Sequence, residues 1–372
     1  MKKIIDLFAG AGGLSLGAAR AGFEVAAAVE LDPYAIETHT KNFPNTAHIA
    51  KDVGDMGGDS LLNFANVQDG ELTGLIGGPP CQGFSFMGKR QVEDTRNSLF
   101  GHFFRLVAET NPAFFLAENV PGILDPKYDT IRESAFAQLP GHYELLPPIK
   151  VTASRYGVPT TRTRIFFFGY DPRRFHNDFS VGEFMPGEDT DETHVGHALT
   201  GLPMRIDCRW QNDEQGWREI GDLGKGVFFD RVANAIPAGV GDPWSIERYT
   251  EKRLVSGCMG TRHTDDVKRR FKALKYGEVD ATSKAIRLDP DGFCPTLRAG
   301  TAKDKGSYQA VRPIHFDRPR VITAREAARL QGFPDWFVFH STKWHSFRQI
   351  GNSVSPIVAE AILAKIFANL SD

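Results

Sequence analysis

Lys3-Ile4-Ile5-Asp6-Leu7-Phe8-Ala9-Gly10-Ala11-Gly12-Gly13 is an apolar run of β type that passes directly into a glycine turn. Leu14 to Ala21 follows as an Ala-rich helix closed by Gly22. Missing side chains in such a turn let backbone N–H groups at a helix start come close to a ligand. Further apolar runs occur at Glu24 to Val29, Ala47 to Ala50, Leu72 to Ile76 and Ala113 to Leu116, with helical stretches between them. The second helix opens with Asp32 as N-cap and Pro33 at its first position. This rhythm predicts an α/β fold, a doubly wound, mostly parallel Rossmann-like sheet covered on both faces. Runs around Tyr143 to Val151 and Arg164 to Tyr170 are close enough to pair as an antiparallel edge.

From about 173 to 320 the pattern dissolves into Gly, Pro, Asp and scattered aromatics, which predicts a second, smaller and irregular domain. Near the end, Val354, Ile357, Val358, Ala361, Ile362 and Ile366 share one helical face, with Pro356 in the first turn. That helix is expected to pack back on the first domain. The expected division is a first domain over 1–172, a second over 173–335 and a returning segment over 336–372.

The 372 residues, 41% hydrophobic and 24% charged, suit one large or two modest globular domains and exclude a disulfide mini-scaffold. Cys81, Cys208, Cys258 and Cys294 stand singly, which argues against a structural zinc site or a disulfide framework; no metal is expected, and a reducing compartment is. The Met1 to Ile5 stretch imitates the start of a signal peptide, but Asp6 and the glycines break it. No uninterrupted apolar run nears the length of a membrane span, so no membrane contact is expected; no chromatin-type or nuclear-targeting segment is evident either, and a cytoplasmic location and a monomer are the default expectations. Net charge is −2 but segregated: 250–325 holds 17 Lys and Arg against 9 Asp and Glu, whereas 173–249 holds 8 against 14. Such asymmetry marks either a nucleic-acid face or two differently solvated surfaces.

In an open α/β sheet, ligands sit beyond the carboxyl ends of the strands. The first run ends in the glycine turn, in which Ser15 replaces the third glycine of a dinucleotide fingerprint. The second ends in Glu30, about 20 residues on, suited to ribose hydroxyls or to solvent alone. The third ends in Asp52-Val53, an acceptor beside an apolar residue, which fits an adenine edge or an ordinary turn. Together these favour an adenosine-containing cofactor. The fourth ends in Gly77-Gly78-Pro79-Pro80-Cys81-Gln82-Gly83, a thiol presented on a stiff turn as a nucleophile. The fifth leads into Glu118-Asn119-Val120-Pro121, a carboxyl with apolar flanks suited to carry a proton. Arg162-Thr163-Arg164 places two arginines at alternate positions, expected to point the same way toward an acid, a base carbonyl or a phosphate.

With these residues in order, the sequence resembles the DNA cytosine-5 methyltransferase family of bacterial restriction-modification type, over the first 170 residues and the last 55 or so. The motifs are Phe8 to Gly13, Pro80-Cys81-Gln82, Glu118-Asn119-Val120, Arg162-x-Arg164, the Arg320 to Pro334 block and Gly351-Asn352-Ser353-Val354. Thr160 and Ser355 depart from the family's usual Gln and Pro. The resemblance implies S-adenosyl-L-methionine as methyl donor, held by Phe8, Ala9, Gly10, Gly12, Gly13, Leu14, Glu30, Asp52, Val53, Pro80, Leu99, Asn352 and Val354. It implies catalysis by Cys81, Glu118, Arg162 and Arg164 on a cytosine flipped out of a short site in double-stranded DNA. Candidate DNA contacts are Arg262, Arg269, Arg298 and Thr301. His263 and the Lys268 to Arg270 run are equally readable as surface residues. A transfer-RNA methyltransferase, a silent binding module and a nicotinamide-dependent oxidoreductase remain as alternatives.

Overall fold

The structure is a computed structural model that describes residues 2–79, 98–187, 190–211, 213–234, 236–299 and 312–371. β1 (Lys3–Leu7) is a central strand, because Ile4, Ile5 and Leu7 are apolar on both faces and none has exposed surface. After it come α1 (Gly13–Ala21), β2 (Glu24–Val29), α2 (Pro33–Asn42), β3 (Ala47–Ile49), α3 (Gly58–Ala65) and β4 (Gly74–Gly77). Then follow α4 (Ser98–Thr110), β5 (Phe114–Asn119), α5 (Asp129–Phe136), β6 (Glu144–Leu145), β7 (Ile149–Thr152) and β8 (Thr163–Tyr170).

Among the described residues these strands form one sheet in the order β3-β2-β1-β4-β5-β8-β6, with β7 also paired to β8. β1 is parallel to β2 and β4, β2 to β3, and β4 to β5. The mostly parallel α/β sheet is thus as expected, and its winding reverses between β1 and β4, where such sheets take ligands. β8 is more than an edge partner: it runs antiparallel to β5 on one side and to β6 and β7 on the other. The expected run from Tyr143 to Val151 is split into β6 and β7, with Pro147 and Pro148 between them, since proline cannot donate to a ladder. β5 continues through Glu118 and Asn119, so the acid lies within the strand, opposite Phe166.

One face of the sheet is closed by α3, α4 and α5 through Phe100, Phe103, Phe104, Phe115 and Phe167. The other is closed by α1 and the last helix, through Ile4, Leu14, Leu16, Ala359, Ile362 and Ile366. Asp32 caps α2 by accepting the Tyr34 and Ala35 N–H groups, and Gly22 closes α1 at φ 106°, both as expected.

Beyond β8 the chain forms short helices α6 (Val195–Ala198), α7 (Asp213–Gly216) and α8 (Val227–Phe229), the strand pair β9 (Arg218–Glu219) and β10 (Leu254–Val255), and helices α9 (Pro243–Lys252) and α10 (Asp265–Ala273). α11 (Ala324–Leu330), α12 (Lys343–Asn352) and α13 (Pro356–Asn369) complete it. The apolar cluster under α1 continues through Phe184, Leu202, Phe229, Val255, Met259 and Leu297 into α11 to α13, so packing does not break at 172/173. Phe175 and Phe179 lie edge-on to Tyr170 of β8. A small cluster of Phe271, Ala285 and Ile314 stands apart.

α11 carries its charges inside. Arg329 pairs with Asp335 where neither side chain is exposed, and Arg329 also donates to the Ala198 and Thr200 carbonyls. Arg325 donates to carbonyls of Ser256, Pro334 and Phe337, and Glu326 is held by Arg320. These ions fasten the irregular region to the C-terminal segment.

α1 and α13 touch without side chains between them: a Cβ on Gly17 would lie 2.3 Å from the Cβ of Ala359 and 2.6 Å from the Glu360 nitrogen. Gly17→Val is therefore expected to destabilise the protein by about 1–3 kcal/mol or more through overpacking. Gly141→Ala, where a Cβ would meet nothing within 4 Å, is the control and should stay within about 0.5 kcal/mol. Urea unfolding of the two variants checks this.

Candidate active site

The glycine turn after β1 has left-handed backbone at Phe8 (φ 58°), Gly10 (φ 57°) and Gly12 (φ 97°). Its glycines serve different ends. A Cβ on Gly12 would lie 2.4 Å from the Phe43 ring, and one on Gly13 would lie 2.3 Å from the Val354 carbonyl oxygen, so both are demanded by packing. A Cβ on Gly10 would have its nearest neighbour 4.0 Å away, which leaves this face of the turn open. Ala9 and Leu14 are buried, and Phe8 is half-buried against the α3–α4 core.

Glu30 holds this turn from the end of β2. One carboxylate oxygen accepts the Gly10 N–H at 2.9 Å; the other accepts those of Leu31 and Asp32 at 2.8 and 2.9 Å. A carboxylate has about four acceptor sites, so capacity remains for a hydroxyl. Asp52 lies half-buried at the end of β3 with one oxygen on the Gly54 N–H at 2.8 Å, while Val53 is buried beneath it. Leu99 is half-buried at the start of α4; Asn352 is exposed and Val354 buried against α1. Leu31, which the sequence reading passed over, is 61% exposed beside Glu30 and offers an apolar surface at the same edge. An open glycine, an acid with spare acceptor capacity and an exposed apolar side chain together fit a nucleoside.

On the far side of the switch point, Arg164 Nε lies 2.6 Å from Glu118 Oε1, with both side chains largely buried. A Cβ on Gly78 would come within 3.1 Å of Glu118 Oε2, so the chain leaving β4 passes directly over this carboxyl. Pro80 and Cys81 lie outside the described residues. Arg162 does not share the direction of Arg164. It precedes β8, is 3% exposed, and donates to the carbonyls of Gly351 at 2.9 Å, Asn352 at 3.3 Å and Leu297 at 3.4 Å. The alternation rule fails because Arg162 stands before the strand begins.

Arg298 is exposed on the segment that follows Leu297, and its neighbour Ala299 lies against Gly351, where a Cβ would meet the Ala299 nitrogen at 2.8 Å. Arg262 is exposed, His263 accepts the Val321 N–H, and Thr301 is outside the described residues. Arg269 pairs with Asp266 within α10, Lys268 with Asp265, and Arg270 with Asp280. Of the described cysteines, burial pushes the Cys258 and Cys294 thiols up to about 12, which leaves both as unreactive thiols at neutral pH; Cys208 is exposed.

A buried polar chain beneath the glycine turn also escaped the sequence reading, because its members are spread over four elements. Ser15 Oγ lies 2.6 Å from Asp6 Oδ2 and 3.0 Å from His39 Nε2, and His39 Nδ1 lies 2.8 Å from His48 Nε2. Burial, followed by the Glu30 charge, raises the Asp6 carboxyl to about 7 against the opposing Ser15 hydrogen bond. Burial and the neighbouring His48 hold His39 well below the usual imidazole range.

Residues 2–368 match the family described as C-5 cytosine-specific DNA methylase. The Type II methyltransferase M.XorII of Xanthomonas oryzae pv. oryzae is 41% identical over 98% of this chain and 84% of its own length. The crystal structure of an E. coli prophage-encoded chain, assigned as a DNA modification methyltransferase, is 51% identical, covers 99% of each chain and superposes with a TM-score of 0.89. S. pombe Dnmt2 methyltransferase, at 16% identity, 98% coverage of each chain and a TM-score of 0.62, shares the fold. The chain belongs to the C-5 cytosine-specific DNA methylase family, and it is a methyltransferase.

Proposed function

We propose that this methyltransferase moves a methyl group from S-adenosyl-L-methionine to carbon 5 of a cytosine flipped out of a specific short site in duplex DNA. The observation that carries the reading is the 2.6 Å Glu118–Arg164 contact at the carboxyl edge of the sheet, under the chain that leads from Gly78 toward Cys81. Carbon 5 of cytosine is a weak nucleophile. In the proposed mechanism the Cys81 thiolate adds to carbon 6, forming a C–S bond and moving ring electrons to carbon 5. Glu118 protonates or hydrogen-bonds ring nitrogen 3, where negative charge develops, and Arg164 orients Glu118 and holds the base oxygen. The sulfonium that S-adenosylmethionine supplies when bound makes its methyl the electrophile. Loss of the carbon-5 proton and cleavage of the C–S bond restore the ring and the thiolate.

The nucleoside-type edge of Gly10, Glu30, Asp52 and Leu31 supports the cofactor. In the proposed division of labour, 1–172 with 336–372 carries the chemistry and 173–335 recognises DNA. The exposed Arg262 and Arg298 would contribute contacts there, and Arg269 would have to exchange Asp266 for phosphate. Such contacts would offset the unstacking cost of about a few kcal/mol. The relatives named Type II methyltransferases support a role as the modification enzyme of a restriction-modification pair, which in this reading works in the cytoplasm.

Tritiated methyl transfer into duplex DNA containing all short sites is expected for the wild type and not for Cys81→Ala; Glu118→Gln should be slowed by about 10²–10⁴. Label in transfer RNA but not DNA, or Cys81→Ala turnover near wild type, would overturn the reading. Arg162 we assign to positioning, as the clamp between β8 and the carbonyls of Leu297, Gly351 and Asn352. Arg162→Lys keeps the charge but loses the fork. It is expected to raise KM for the cofactor by about tenfold or more, with kcat within about threefold of wild type. A fall in kcat alone would return Arg162 to the chemistry.

A further inference from the structure

The buried chain under the glycine turn is built from four side chains on four elements: Asp6 of β1, Ser15 of α1, His39 of α2 and His48 of β3. Asp6 and Ser15 have no exposed surface and His39 is 1% exposed, whereas His48 is half-buried and is the outlet. Asp6 Oδ1 has no hydrogen-bond partner among the described residues. The chain is in contact with the turn itself, since His39 Cδ2 lies 3.1 Å from where a Gly12 Cβ would be, and the His39 ring stacks on Phe43, which fills the rest of that space.

Each group in the chain can donate in one direction or the other at the same heavy-atom distances. With Asp6 protonated, its O–H donates to Ser15, Ser15 donates to His39 Nε2, and His39 Nδ1–H donates to His48 Nε2; the remaining His48 nitrogen donates to the Thr46 backbone. Loss of one proton reverses the three bonds between the side chains and gives up the one from His48 to the Thr46 backbone. The Asp6 proton passes to the Ser15 oxygen, the Ser15 proton to His39 Nε2, the His39 Nδ1 proton to His48 Nε2, and the His48 Nδ1 proton to solvent. Four protons move, one leaves, and Asp6 is left as a carboxylate with both histidines neutral. The charged group acting on Asp6 from the surrounding elements is the Glu30 carboxylate at the end of β2, and the group acting on His39 is His48.

We propose that Asp6, Ser15, His39 and His48 are a proton relay that lets the carboxyl beneath the glycine turn exchange its proton with solvent, and that the resulting charge makes the turn prefer a sulfonium cofactor over its uncharged thioether product as pH rises. The coupling half rests on the proposed cofactor; the relay half does not. The sign follows from the charge. A cation on the turn favours the Asp6 carboxylate, so cofactor affinity rises as Asp6 loses its proton and falls when it regains it. S-adenosylhomocysteine lacks the sulfonium charge and keeps every other titrating group, so the ratio of the two affinities isolates the effect. A tenfold change in that ratio corresponds to the cation lowering the Asp6 midpoint by about one pH unit.

Nitrogen-15 histidine NMR of the wild-type full chain without ligand, from pH 5 to 9, tests the relay. His39 is expected to stay neutral and to move its proton from Nδ1 to Nε2 as pH rises, and Asp6→Asn is expected to remove the transition. A single His39 tautomer across the range would overturn the relay. Calorimetric titration with S-adenosylmethionine and with S-adenosylhomocysteine at pH 6 and pH 8 tests the coupling. The affinity ratio should rise about tenfold in the wild type and stay flat in Asp6→Asn; if Asp6→Asn does not fold, Ser15→Ala, which cuts the chain, takes its place in the NMR measurement, and Asp6→Ser, which also removes the carboxyl, takes its place in the calorimetry. Equal pH courses for the two ligands in the wild type would overturn the coupling. A switching His39 with neither ligand bound would sustain the relay and sink both the cofactor reading and the coupling.

Discussion

α1 lies against residues 351–359 with no room for a side chain at Gly13 or Gly17, where an added Cβ would come within 2.3 Å of Val354 or Ala359. That contact is what brings the far end of the chain to the glycine turn at its beginning. The sheet places Gly10, Glu30 and Asp52 along its carboxyl edge, and the returning segment brings Val354 against Gly13 of the same turn. Arg162 then ties β8 to the same segment and to Leu297 at once, so three distant stretches are fixed relative to the Glu118–Arg164 pair. Catalysis that depends on sub-ångström placement of groups needs such cross-links, because positioning supplies much of the rate.

The irregular region is held by a different device. Arg325, Glu326, Arg329 and Asp335 are buried together, and their partners are carbonyls or opposite charges on the irregular region and the chain leading to α12. Buried ion pairs are weak contributors to net stability because desolvation offsets most of the attraction, while loss of one partner is severe. Their value here is directional: a guanidinium that must find several carbonyls accepts one docking geometry. An apolar core reaching from Ile4 to Leu370 supplies the adhesion and the ions supply the register.

The parallel sheet, the caps at Asp32 and Gly22 and the return of the last helix were all legible, since each rests on local periodicity or capping chemistry. Residues at the carboxyl ends of strands were legible as a set for the same reason. What the sequence hid was three-dimensional. Arg162 reads as the twin of Arg164 until β8 is seen to start between them. The continuity of the core across 172/173 depends on Phe175, Phe179 and Phe184, which in sequence look like scattered aromatics. The Asp6–Ser15–His39–His48 chain has no spacing rule at all, and Ser15 read only as a missing glycine.

The proposed mechanism requires a covalent bond between Cys81 and carbon 6 of the base. Duplex DNA carrying 5-fluorocytosine tests it most directly, because fluorine cannot leave carbon 5 as a proton does and the adduct would be trapped after methylation. Mass spectrometry of the digested complex is predicted to place the modified base on the peptide containing Cys81, only when S-adenosylmethionine is present, and never in Cys81→Ser. A methylated duplex with no covalent complex, or an adduct on Cys208, would contradict the account.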